Sequence, residues 1–387
     1  MSLRIVIDAR HVKDFGIGTY IRNLVHALGR IDEQNQYFLV AGRDSLQEFA
    51  GLPENFTTAN YEKSDTSVRD QIAFPLFLHQ FSADVFHVPH NVVPLIMPRP
   101  FVVTVHDLSS ILFEQQPGMY KNFLRYQFRR GLQRAAKVIA VSEATRRDIT
   151  TLFGALAGKI RVVYNAPDPK FLEAIGVCLT SEERDAHLLY RRRLLERYQI
   201  NYPFLLYAGA IRPQKNIPRL VEAFAVVRGD LEQHPIYKDL HLIIIGDEIS
   251  KYPAVRRAVI KTRVENVVRF LGFVPLETLR VFYEAACAFI FPSLYEGFGL
   301  PPLEALASGV PVVASNVSSL PEVVGDAAIL VNPENVFDIA RGIREALTDE
   351  ERKVQLILKG YEQARRFNWE KTARQVFDIY EEVARSR

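Results

Sequence analysis

The sequence has few of the residues from which disulfide frameworks and cysteine metal centres are built. Only two cysteines, Cys178 and Cys287, occur among 387 residues, and each lies in an apolar stretch far from the other. Isolated thiols in such surroundings are typical of buried core residues. The cysteine content therefore argues against a disulfide scaffold and against a cysteine-based metal site.

Long hydrophobic runs and a large net charge are also absent. No apolar run approaches the roughly 18 residues that a membrane-spanning helix needs. The start, MSLRIVIDAR, lacks the charged leader and long apolar stretch of a secretory signal. The formal charge of +3 is too small to indicate a nucleic-acid partner. We therefore expect a globular, cytoplasmic protein that does not bind nucleic acid.

The positive charges are nevertheless unevenly distributed. Residues 121–137, KNFLRYQFRRGLQRAAK, contain six cations and no acid. Lys121, Arg125 and Arg129 recur every four residues, which predicts a basic amphipathic helix. Its polar face is either a solvated surface or a contact for an anionic partner, such as a charged acceptor or the inner face of a membrane.

Short apolar runs rich in branched residues recur along the chain and alternate with segments of helical period. This alternation predicts parallel sheets covered by helices on both faces. The first series of predicted strands is RIVID (4–8), YFLVA (37–41), DVFHV (84–88), FVVTV (101–105), KVIAV (137–141) and IRVVY (160–164). The second series is PFLLYA (203–208), LHLIII (240–245), VVRFL (267–271), CAFIF (287–291), VPVVA (310–314) and AILV (328–331).

Two strand series in a chain of this length predict two domains, because 387 residues exceed one compact core. We predict an α/β protein of two Rossmann-like, doubly wound domains that face a central cleft. The first domain spans residues 1–180 and the second 200–368, with a charge-rich helical connector at 172–200. The end of the chain, 369–387, has helical spacing and aromatic residues suited to docking.

Two glycines after the first strand form a weak phosphate-binding signal. In HVKDFGIGTYIRNLVHAL, Gly16 and Gly18 precede an apolar helical face, where backbone amides can approach an anion. The third glycine of the dinucleotide fingerprint is replaced by Ile21. A tight turn without any ligand explains the two glycines equally well.

The second domain repeats this arrangement with added positive charge. In YAGAIRPQKNIPRLVEAF, Arg212 and Lys215 lie between a strand and a helix that begins near Asn216 and Pro218. A guanidinium and an ammonium beside a helix N-terminus suit a diphosphate. The alternative is that both side chains are simply solvated surface residues.

The stretch FPSLYEGFGLPPLEALASG places two glutamates in different settings. Residues 301–308 predict a helix that begins at the two prolines and ends before Gly309, so that Glu304 lies in its first turn. Glu296 instead lies in a glycine-rich loop after a strand, where a carboxylate can accept hydrogen bonds from a hydroxyl-rich ligand. The backbone amides of residues 297–300 suit a phosphate.

In combination these motifs resemble the family 4 retaining glycosyltransferases with the B-type fold, and in particular bacterial mannosyltransferases. The resemblance covers essentially the whole chain and includes GIGTY, VHDL (105–108), AVSEATRRDI (140–149), VVYNAPD (162–168), PQKN (213–216), FLGFV (270–274) and FNWEKTA. It implies that the first domain receives the acceptor, that the second binds the nucleotide sugar, and that the final helix crosses back onto the first domain.

The resemblance also implies roles for individual residues. Glu304 would bind the ribose hydroxyls, Glu296 the hydroxyls of the transferred sugar, and the backbone near Val274 the base. His106 would contact the sugar or the reacting centre. The implied contacts of the diphosphate are Lys215, Gly18 and the amides of Phe298, Gly299 and Leu300. Many members carry arginine immediately after the position of Gly209, where this chain has Ala210, and Arg212 is the candidate to take the place of that arginine at the diphosphate.

Two of these segments have structural interpretations as well. His106 follows a predicted strand and is also able to cap it through a backbone hydrogen bond, and Asp107 is able to orient the ring in either role. Ser142 and Glu143 fit a helix cap and an early-turn acid better than an acceptor contact.

The chemistry implied is transfer of a hexose from a nucleoside diphosphate to a glycan or lipid-linked acceptor. GDP-mannose is favoured as donor, with UDP-glucose or another UDP-sugar as the alternative. The sequence contains no Asp, any residue, Asp triplet, and we expect cations and amides to act without a metal cofactor. A nicotinamide-dependent oxidoreductase and an inactive nucleotide-sugar binding module are the competing hypotheses.

Overall fold

The computed structural model describes residues 2–14, 16–62, 69–113, 118–154, 156–173 and 180–386. The chain divides into two compact units. Unit 1 comprises Met1–Ala166 and Phe367–Arg387, and unit 2 comprises Pro167–Arg366. Cys178, predicted to be a buried thiol, lies outside the described residues. Cys287 is partly buried, and burial raises its pKa.

Unit 1 is built on a sheet of seven strands that are all paired in parallel, in the order β3-β2-β1-β4-β5-β6-β7. The strands are β1 (Arg4–Asp8), β2 (Gln36–Ala41), β3 (Phe56–Asn60), β4 (Val85–Val88), β5 (Phe101–Val105), β6 (Lys137–Ala140) and β7 (Ile160–Val162). The predicted first series is confirmed. The sequence analysis missed β3, an edge strand whose sequence FTTAN is mostly exposed and therefore lacks an apolar run.

The helices of unit 1 cover both faces of this sheet. They are α1 (Ile17–Ile31), α2 (Asp70–Leu78), α3 (Ser109–Leu112), α4 (Gly118–Arg134), α5 (Glu143–Phe153) and α15 (Trp369–Arg385). The last of these, α15, comes from the end of the chain and packs against α1. Trp369 and Tyr380 of α15 are buried, which anchors the helix in unit 1.

Helix α4 is the basic helix predicted from residues 121–137. Phe128 and Leu132 are buried, whereas Arg125 and Arg129 are exposed, as the amphipathic pattern requires. Gly131 brings the helix close to a neighbouring loop, because a Cβ atom there would lie 2.7 Å from the Cβ of Val93. Among the described helices, none is both long enough and apolar enough to cross a membrane.

Unit 2 is built on a second parallel sheet, with six strands in the order β10-β9-β8-β11-β12-β13. The strands are β8 (Phe204–Ala208), β9 (His241–Ile245), β10 (Val268–Gly272), β11 (Ala288–Phe291), β12 (Val312–Ser315) and β13 (Ala328–Val331). The predicted second series is confirmed. The chain first adds strands on one side of β8 and then on the other, so the topological switch point lies at β8 and β11.

The helices of unit 2 complete a doubly wound α/β fold. They are α6 (Pro169–Glu173), α7 (Ser181–Arg197), α8 (Ile217–Asp230), α9 (Pro253–Thr262), α10 (Leu276–Ala285), α11 (Leu300–Ala307), α12 (Leu320–Val324), α13 (Val336–Thr348) and α14 (Glu350–Arg365). Helix α7 occupies most of the predicted connector and packs against α10. Residues 174–179 of that connector lie outside the described residues.

Candidate active site

The switch point of unit 2 brings together the two residues that the sequence motifs single out. Lys215 follows β8 and Glu296 follows β11, and these two strands are adjacent in the sheet. Lys215 Nζ lies 2.6 Å from Glu296 Oε1 and 2.7 Å from Oε2. Their side chains are only 18% and 10% exposed. A cation and a carboxylate are thus held together at the sheet edge where ligands of such folds bind.

Asn216 fixes the loop that carries Lys215. Its backbone is left-handed, with φ of 62°, and α8 begins at the next residue with Pro218 in its first turn. The helix start predicted near Asn216 and Pro218 is therefore confirmed. The Asn216 amide group donates hydrogen bonds to the carbonyls of Pro292, at 3.0 Å, and Pro333, at 2.7 Å. The side chain thereby ties the Lys215 loop to the chain just beyond β11.

Two serines that the sequence analysis missed support the loop of Glu296. Ser318 Oγ donates to the Glu296 carbonyl at 2.5 Å, and Ser319 Oγ donates to the same carbonyl at 3.0 Å. Ser319 Oγ also lies 2.7 Å from the Phe298 carbonyl. The signal in the sequence is the pair of small hydroxyl residues soon after a buried strand, in VVASNVSSL. These contacts hold the backbone of the loop and leave the Glu296 carboxylate directed to Lys215.

The glycine-rich loop leads directly into α11. Gly299 caps the helix with φ of 111°, and a Cβ atom at this position would lie 2.7 Å from Leu320 Cδ2. The first turn of a helix presents amides without intrahelical partners. Because Pro301 and Pro302 have no N–H, Leu300 is the main donor of this turn, next to the amide of Gly299. This donor set suits an anion.

Glu304 differs from the prediction in its helical position. The helix begins at Leu300, earlier than the prolines suggested, so Glu304 lies in the second turn and not in the first. Burial raises the pKa of Glu304 to about 7, and Asp168 adds to this shift. The hydroxyl of Tyr283 opposes the shift by donating a hydrogen bond to Oε2 at 3.1 Å. Tyr283 is a further residue that the sequence motifs did not indicate, whereas Asp168 is the last residue of the VVYNAPD motif, to which no role was assigned.

The remaining predicted residues of unit 2 occupy different settings. Arg212 is exposed, and its guanidinium makes no hydrogen bond or ion pair with any described residue. Val274 lies just after β10 with a buried side chain, whereas the neighbouring Phe273 is 75% exposed. The structure thus leaves Arg212 accessible to an anion without placing it in the Lys215–Glu296 pair.

In unit 1, His106 follows β5 and is partly buried. Its Nε2 lies 3.1 Å from the Pro89 carbonyl, so this nitrogen acts as a donor. The backbone hydrogen bond expected from the strand-capping interpretation is therefore found in the structure. Burial lowers the pKa of His106 to about 4, against the opposing effect of Asp107. The Asp107 carboxylate accepts hydrogen bonds from the Ser109 amide and hydroxyl. His106 is therefore a neutral imidazole at pH 7, with Nδ1 as its acceptor.

The glycines at the start of α1 have clear structural roles. Gly16 caps the helix with φ of 32°, in the region that favours glycine. At Gly18 a Cβ atom would lie 2.3 Å from the Val12 carbonyl oxygen, so only glycine fits. The Gly18 amide donates to the Asp14 carbonyl at 2.9 Å. These contacts support the tight-turn interpretation, and a diphosphate contact of Gly18 stays a prediction.

A buried charge cluster in unit 1 was not predicted as a site. Asp8, at the end of β1, binds Arg10 through Nε at 2.8 Å and Nη2 at 2.6 Å. His90 Nε2 lies 2.9 Å from the same carboxylate. Burial alone would raise the pKa of Asp8, but Arg10 and His90 hold it well below its usual range. The Arg10 guanidinium also stacks on Phe74, 3.6 Å from the ring centroid, which completes a tightly packed cluster.

The described residues contain no group of three or more histidine, cysteine, aspartate or glutamate side chains arranged to hold a metal ion.

The helix cap predicted at Ser142 is confirmed, because its hydroxyl accepts a hydrogen bond from the Thr145 amide at 2.9 Å.

Comparison with known proteins identifies the family. Residues 16–171 match the family model described as glycosyltransferase family 4, and residues 193–363 match the model described as glycosyl transferases group 1. The chain is 32% identical over 306 residues to the O-antigen chain mannosyltransferase B of Escherichia coli, covering 78% of this chain and 75% of that protein. It is 29% identical over 280 residues to the serotype-specific mannosyltransferase WbdA of Escherichia coli, covering 72% of this chain but 33% of WbdA.

The fold has a full-length counterpart among solved structures. A sucrose-phosphate synthase from Thermosynechococcus elongatus superposes with a TM-score of 0.77 at 19% identity, covering 100% of both chains. This similarity shows the fold, and the relationship to mannosyltransferase B shows the family. The chain belongs to family 4 of the glycosyltransferases, with the B-type fold, and is a hexosyltransferase enzyme.

Proposed function

We propose that this enzyme is a retaining mannosyltransferase that uses GDP-mannose and extends a glycan or lipid-linked acceptor in the synthesis of a bacterial surface polysaccharide. The observation that carries the donor site is the Lys215–Glu296 pair at the switch point of unit 2. The preference for mannose is supported by the names of the mannosyltransferase relatives.

The chemistry requires positive charge beside the departing diphosphate. Cleavage of the sugar–phosphate bond leaves negative charge on the phosphate oxygens and builds positive charge on the sugar ring. On donor binding, the Lys215 ammonium would exchange one of its two hydrogen bonds to Glu296 for a hydrogen bond to a diphosphate oxygen. The amides of Phe298, Gly299 and Leu300 would complete the anion site. We propose that these groups make a metal ion unnecessary, and Arg212 would reach the diphosphate only by reorienting.

The carboxylates would hold the hydroxyl groups of the donor. Glu296, released in part by Lys215, would accept hydrogen bonds from the sugar, and Glu304 would accept them from the ribose. The backbone near Val274 would contact the base. Glu304 lies close to its pKa at neutral pH, so its capacity to accept two hydrogen bonds depends on pH.

We propose same-face attack as the retaining mechanism. A double displacement would need a carboxylate nucleophile on the face opposite the leaving group. Glu296 is the obvious candidate, but its contact with Lys215 fits hydroxyl binding better. In same-face attack the leaving phosphate accepts the acceptor proton. His106 is neutral at pH 7 and would contact a hydroxyl through Nδ1 instead of donating a proton.

Thermal-shift measurements with GDP, UDP and ADP, followed by turnover with the corresponding sugars, test the donor assignment. We expect the largest shift with GDP, turnover with GDP-mannose in the presence of a chelator, and a product with the anomeric configuration of the donor. A larger response to UDP would favour the UDP-sugar alternative. The family membership excludes the competing oxidoreductase hypothesis. The absence of any hydrolysis or transfer with these donors would contradict the proposed donor assignment.

A further inference from the structure

An open groove of arginine residues lies on the surface of unit 1. It measures about 540 Å³ and is lined by Arg99, Tyr126, Arg129, Arg130, Gln133 and Arg134. Arg134 is partly buried and donates hydrogen bonds to the carbonyls of Leu95 and Met97. These bonds fix the Arg134 guanidinium in the wall of the groove without neutralising its charge.

The groove carries positive charge that the protein does not neutralise. Arg99, Arg129 and Arg130 form no ion pair with any described residue, and all three are exposed. Residues 85–106 contain no acid, nor do residues 118–137. The Glu382 carboxylate beside this region is bound to Lys137 and Arg161. Arg99, Arg130 and Arg134 line the same groove, and burial, together with the charges of Arg99 and Arg130, lowers the pKa of Arg134.

Large apolar side chains are exposed on the elements that form the groove. Phe123 and Tyr126 of α4 are 46% and 53% exposed, and Ile96 of the adjoining loop is 49% exposed. Helix α2 lies beside α4, since Gln127 Nε2 donates to Gln71 Oε1 at 2.9 Å. Leu76 of α2 is 62% exposed. Arginines interspersed with exposed aromatic and aliphatic side chains are typical of surfaces that lie at a membrane interface.

The groove lies at the edge of the sheet opposite to His106. Arg99 precedes β5 and Arg134 precedes β6, so both are at the amino ends of these strands, whereas His106 follows the carboxyl end of β5. Helix α4 runs back between these edges, and its 17 residues span about 25 Å. A ligand in the groove therefore does not take part in the chemistry at His106.

We propose that this groove binds the phosphate group of an anionic phospholipid and thereby docks unit 1 onto a bilayer. The guanidinium groups would form charge-assisted hydrogen bonds with the phosphate oxygens. The side chains of Ile96, Phe123 and Tyr126 would enter the headgroup region. The proposal concerns how the enzyme reaches a lipid-linked acceptor and does not depend on which nucleotide sugar is the donor.

Vesicle sedimentation with the full chain tests this proposal. The vesicles are phosphatidylcholine alone, or phosphatidylcholine and phosphatidylglycerol at roughly three to one. We expect binding to the anionic vesicles only, weakened by salt. In the variant Arg129→Gln/Arg130→Gln we expect binding to be roughly 30-fold weaker, from about 1 kcal/mol for each basic residue at the surface. Both positions are exposed helix sites where glutamine preserves the fold.

The matched control is Arg256→Gln/Arg257→Gln, a second pair of adjacent exposed arginines on α9 of unit 2. It removes the same charge, and we expect it to bind like the wild type. Equal binding by the two variants, or no binding of the wild type to anionic vesicles, would overturn the proposal. Stabilisation by glycerol 3-phosphate without vesicle binding would also overturn it and identify a site for a soluble phosphate ester. Normal GDP binding in these cases would leave the donor assignment intact.

Discussion

Lys215 and Glu296 form a nearly buried ion pair, and at the scale of single residues we expect this pair to affect both the stability of the fold and the proposed transfer reaction. Each partner compensates the charge of the other in a partly desolvated site. Removing one of them has two consequences that need to be separated. The remaining charge is left without a partner, and in the proposed donor site the diphosphate would lose a contact or the sugar would lose an acceptor.

The first prediction concerns Lys215→Met. We expect turnover to fall by about 10²- to 10³-fold, as when one preorganised donor to a developing negative charge is removed. The fold should also become less stable, because the Glu296 carboxyl group stays in a nearly buried site without its partner. The double variant Lys215→Met/Glu296→Gln should recover stability but not turnover. Steady-state kinetics and thermal unfolding measure the two effects.

The control for this prediction is Lys359→Met, which breaks the exposed Lys359–Asp326 ion pair of unit 2. Exposed pairs contribute little, so we expect both turnover and stability to stay near the wild type. Turnover of Lys215→Met at the level of this control would show that Lys215 has no part in catalysis.

The second prediction concerns Glu296→Gln and the retaining mechanism. We expect slower turnover, because an amide is a weaker acceptor for the sugar hydroxyls. Mass spectrometry should find no sugar attached to the wild type or to the variant during turnover. A covalent glycosyl adduct on Glu296 of the wild type would instead show a double displacement.

The third prediction concerns the pH dependence that Glu304 confers. Its pKa of about 7 means that the carboxylate becomes protonated as the pH falls from 8 to 6. If only the ionised form binds the ribose hydroxyls, nucleotide affinity should fall about tenfold over this interval. Glu304→Gln should bind more weakly at pH 8 and show no such slope. A slope retained in this variant would assign the titration to another group.

Motifs predicted the identity of these residues but not their partners. The loops that carry Lys215 and Glu296 are 81 positions apart, and only the adjacency of β8 and β11 brings them together. Burial of Glu304 and its contact with Tyr283 likewise depend on tertiary packing. A sequence pattern contains chemical types and local spacing, whereas desolvation and the pKa values that follow from it arise only in the folded protein.

At the scale of elements, the start of helix α11 depends on one backbone position, Gly299, which lies in the proposed anion site. Gly299 has a positive φ and lies against Leu320, and its amide, with those of its neighbours Phe298 and Leu300, belongs to the proposed diphosphate site. The helix begins at Leu300 because this glycine turns the chain sharply. The prolines alone suggested a later start.

The fourth prediction therefore concerns Gly299→Ala. The added Cβ would meet Leu320 at 2.7 Å in a strained backbone conformation, so we expect the loop to shift and GDP affinity to fall at least about tenfold. Gly229→Ala, in α8 with no atom within 4 Å of its added Cβ, is the control and should bind GDP normally. Calorimetric titration compares the two, and equal affinities would contradict the assigned role of the turn.

At this scale the sequence predicted most of the fold. Buried parallel strands are continuous apolar runs, and both series were therefore visible. The edge strand β3 was missed because its FTTAN sequence has no buried face to produce a pattern. The basic helix α4 was recognised from its spacing, but the groove formed with Arg99 could not be, because Arg99 lies in a loop distant in sequence.

At the scale of the whole molecule, the two units differ in the direction in which burial shifts the pKa values of their titratable groups. Burial lowers the pKa of His87 to about 3 and of His106 to about 4, both in unit 1. Unit 2 contains Glu304, whose raised pKa has the opposite effect, and His241, whose pKa is lowered by burial. The free energy of unfolding of the two units therefore depends differently on pH.

The fifth prediction follows from this difference. The unfolded chain protonates histidine near pH 6.5, before folded unit 1 does, so unit 1 loses stability as the pH falls from about 6.5 toward 4. Buried His87 alone should cost about 2 kcal/mol at pH 5. Between pH 7 and 4.5 Glu304 takes up its proton in the folded protein before it does so in the unfolded chain. This uptake stabilises folded unit 2 and offsets the loss of stability caused there by His241.

Trp369 provides the measurement, because it is the only tryptophan in the chain and lies buried in unit 1. We expect the midpoint of thermal unfolding from tryptophan fluorescence to fall between pH 7 and 5. Far-UV circular dichroism, which reports both units, should include a transition that falls less. Equal shifts of all transitions would contradict the assignment of the titrating groups.

The central claim is that Lys215 and the amides before α11 hold the diphosphate of the donor. Calorimetric titration of GDP and of guanosine, with a chelator present, tests it most directly, because the two ligands differ only in the diphosphate. We predict that the wild type binds GDP far more tightly than guanosine, and that Lys215→Met reduces this preference by about tenfold or more, as expected for a charged hydrogen bond. The same preference for GDP in Lys215→Met and in the wild type would contradict the account.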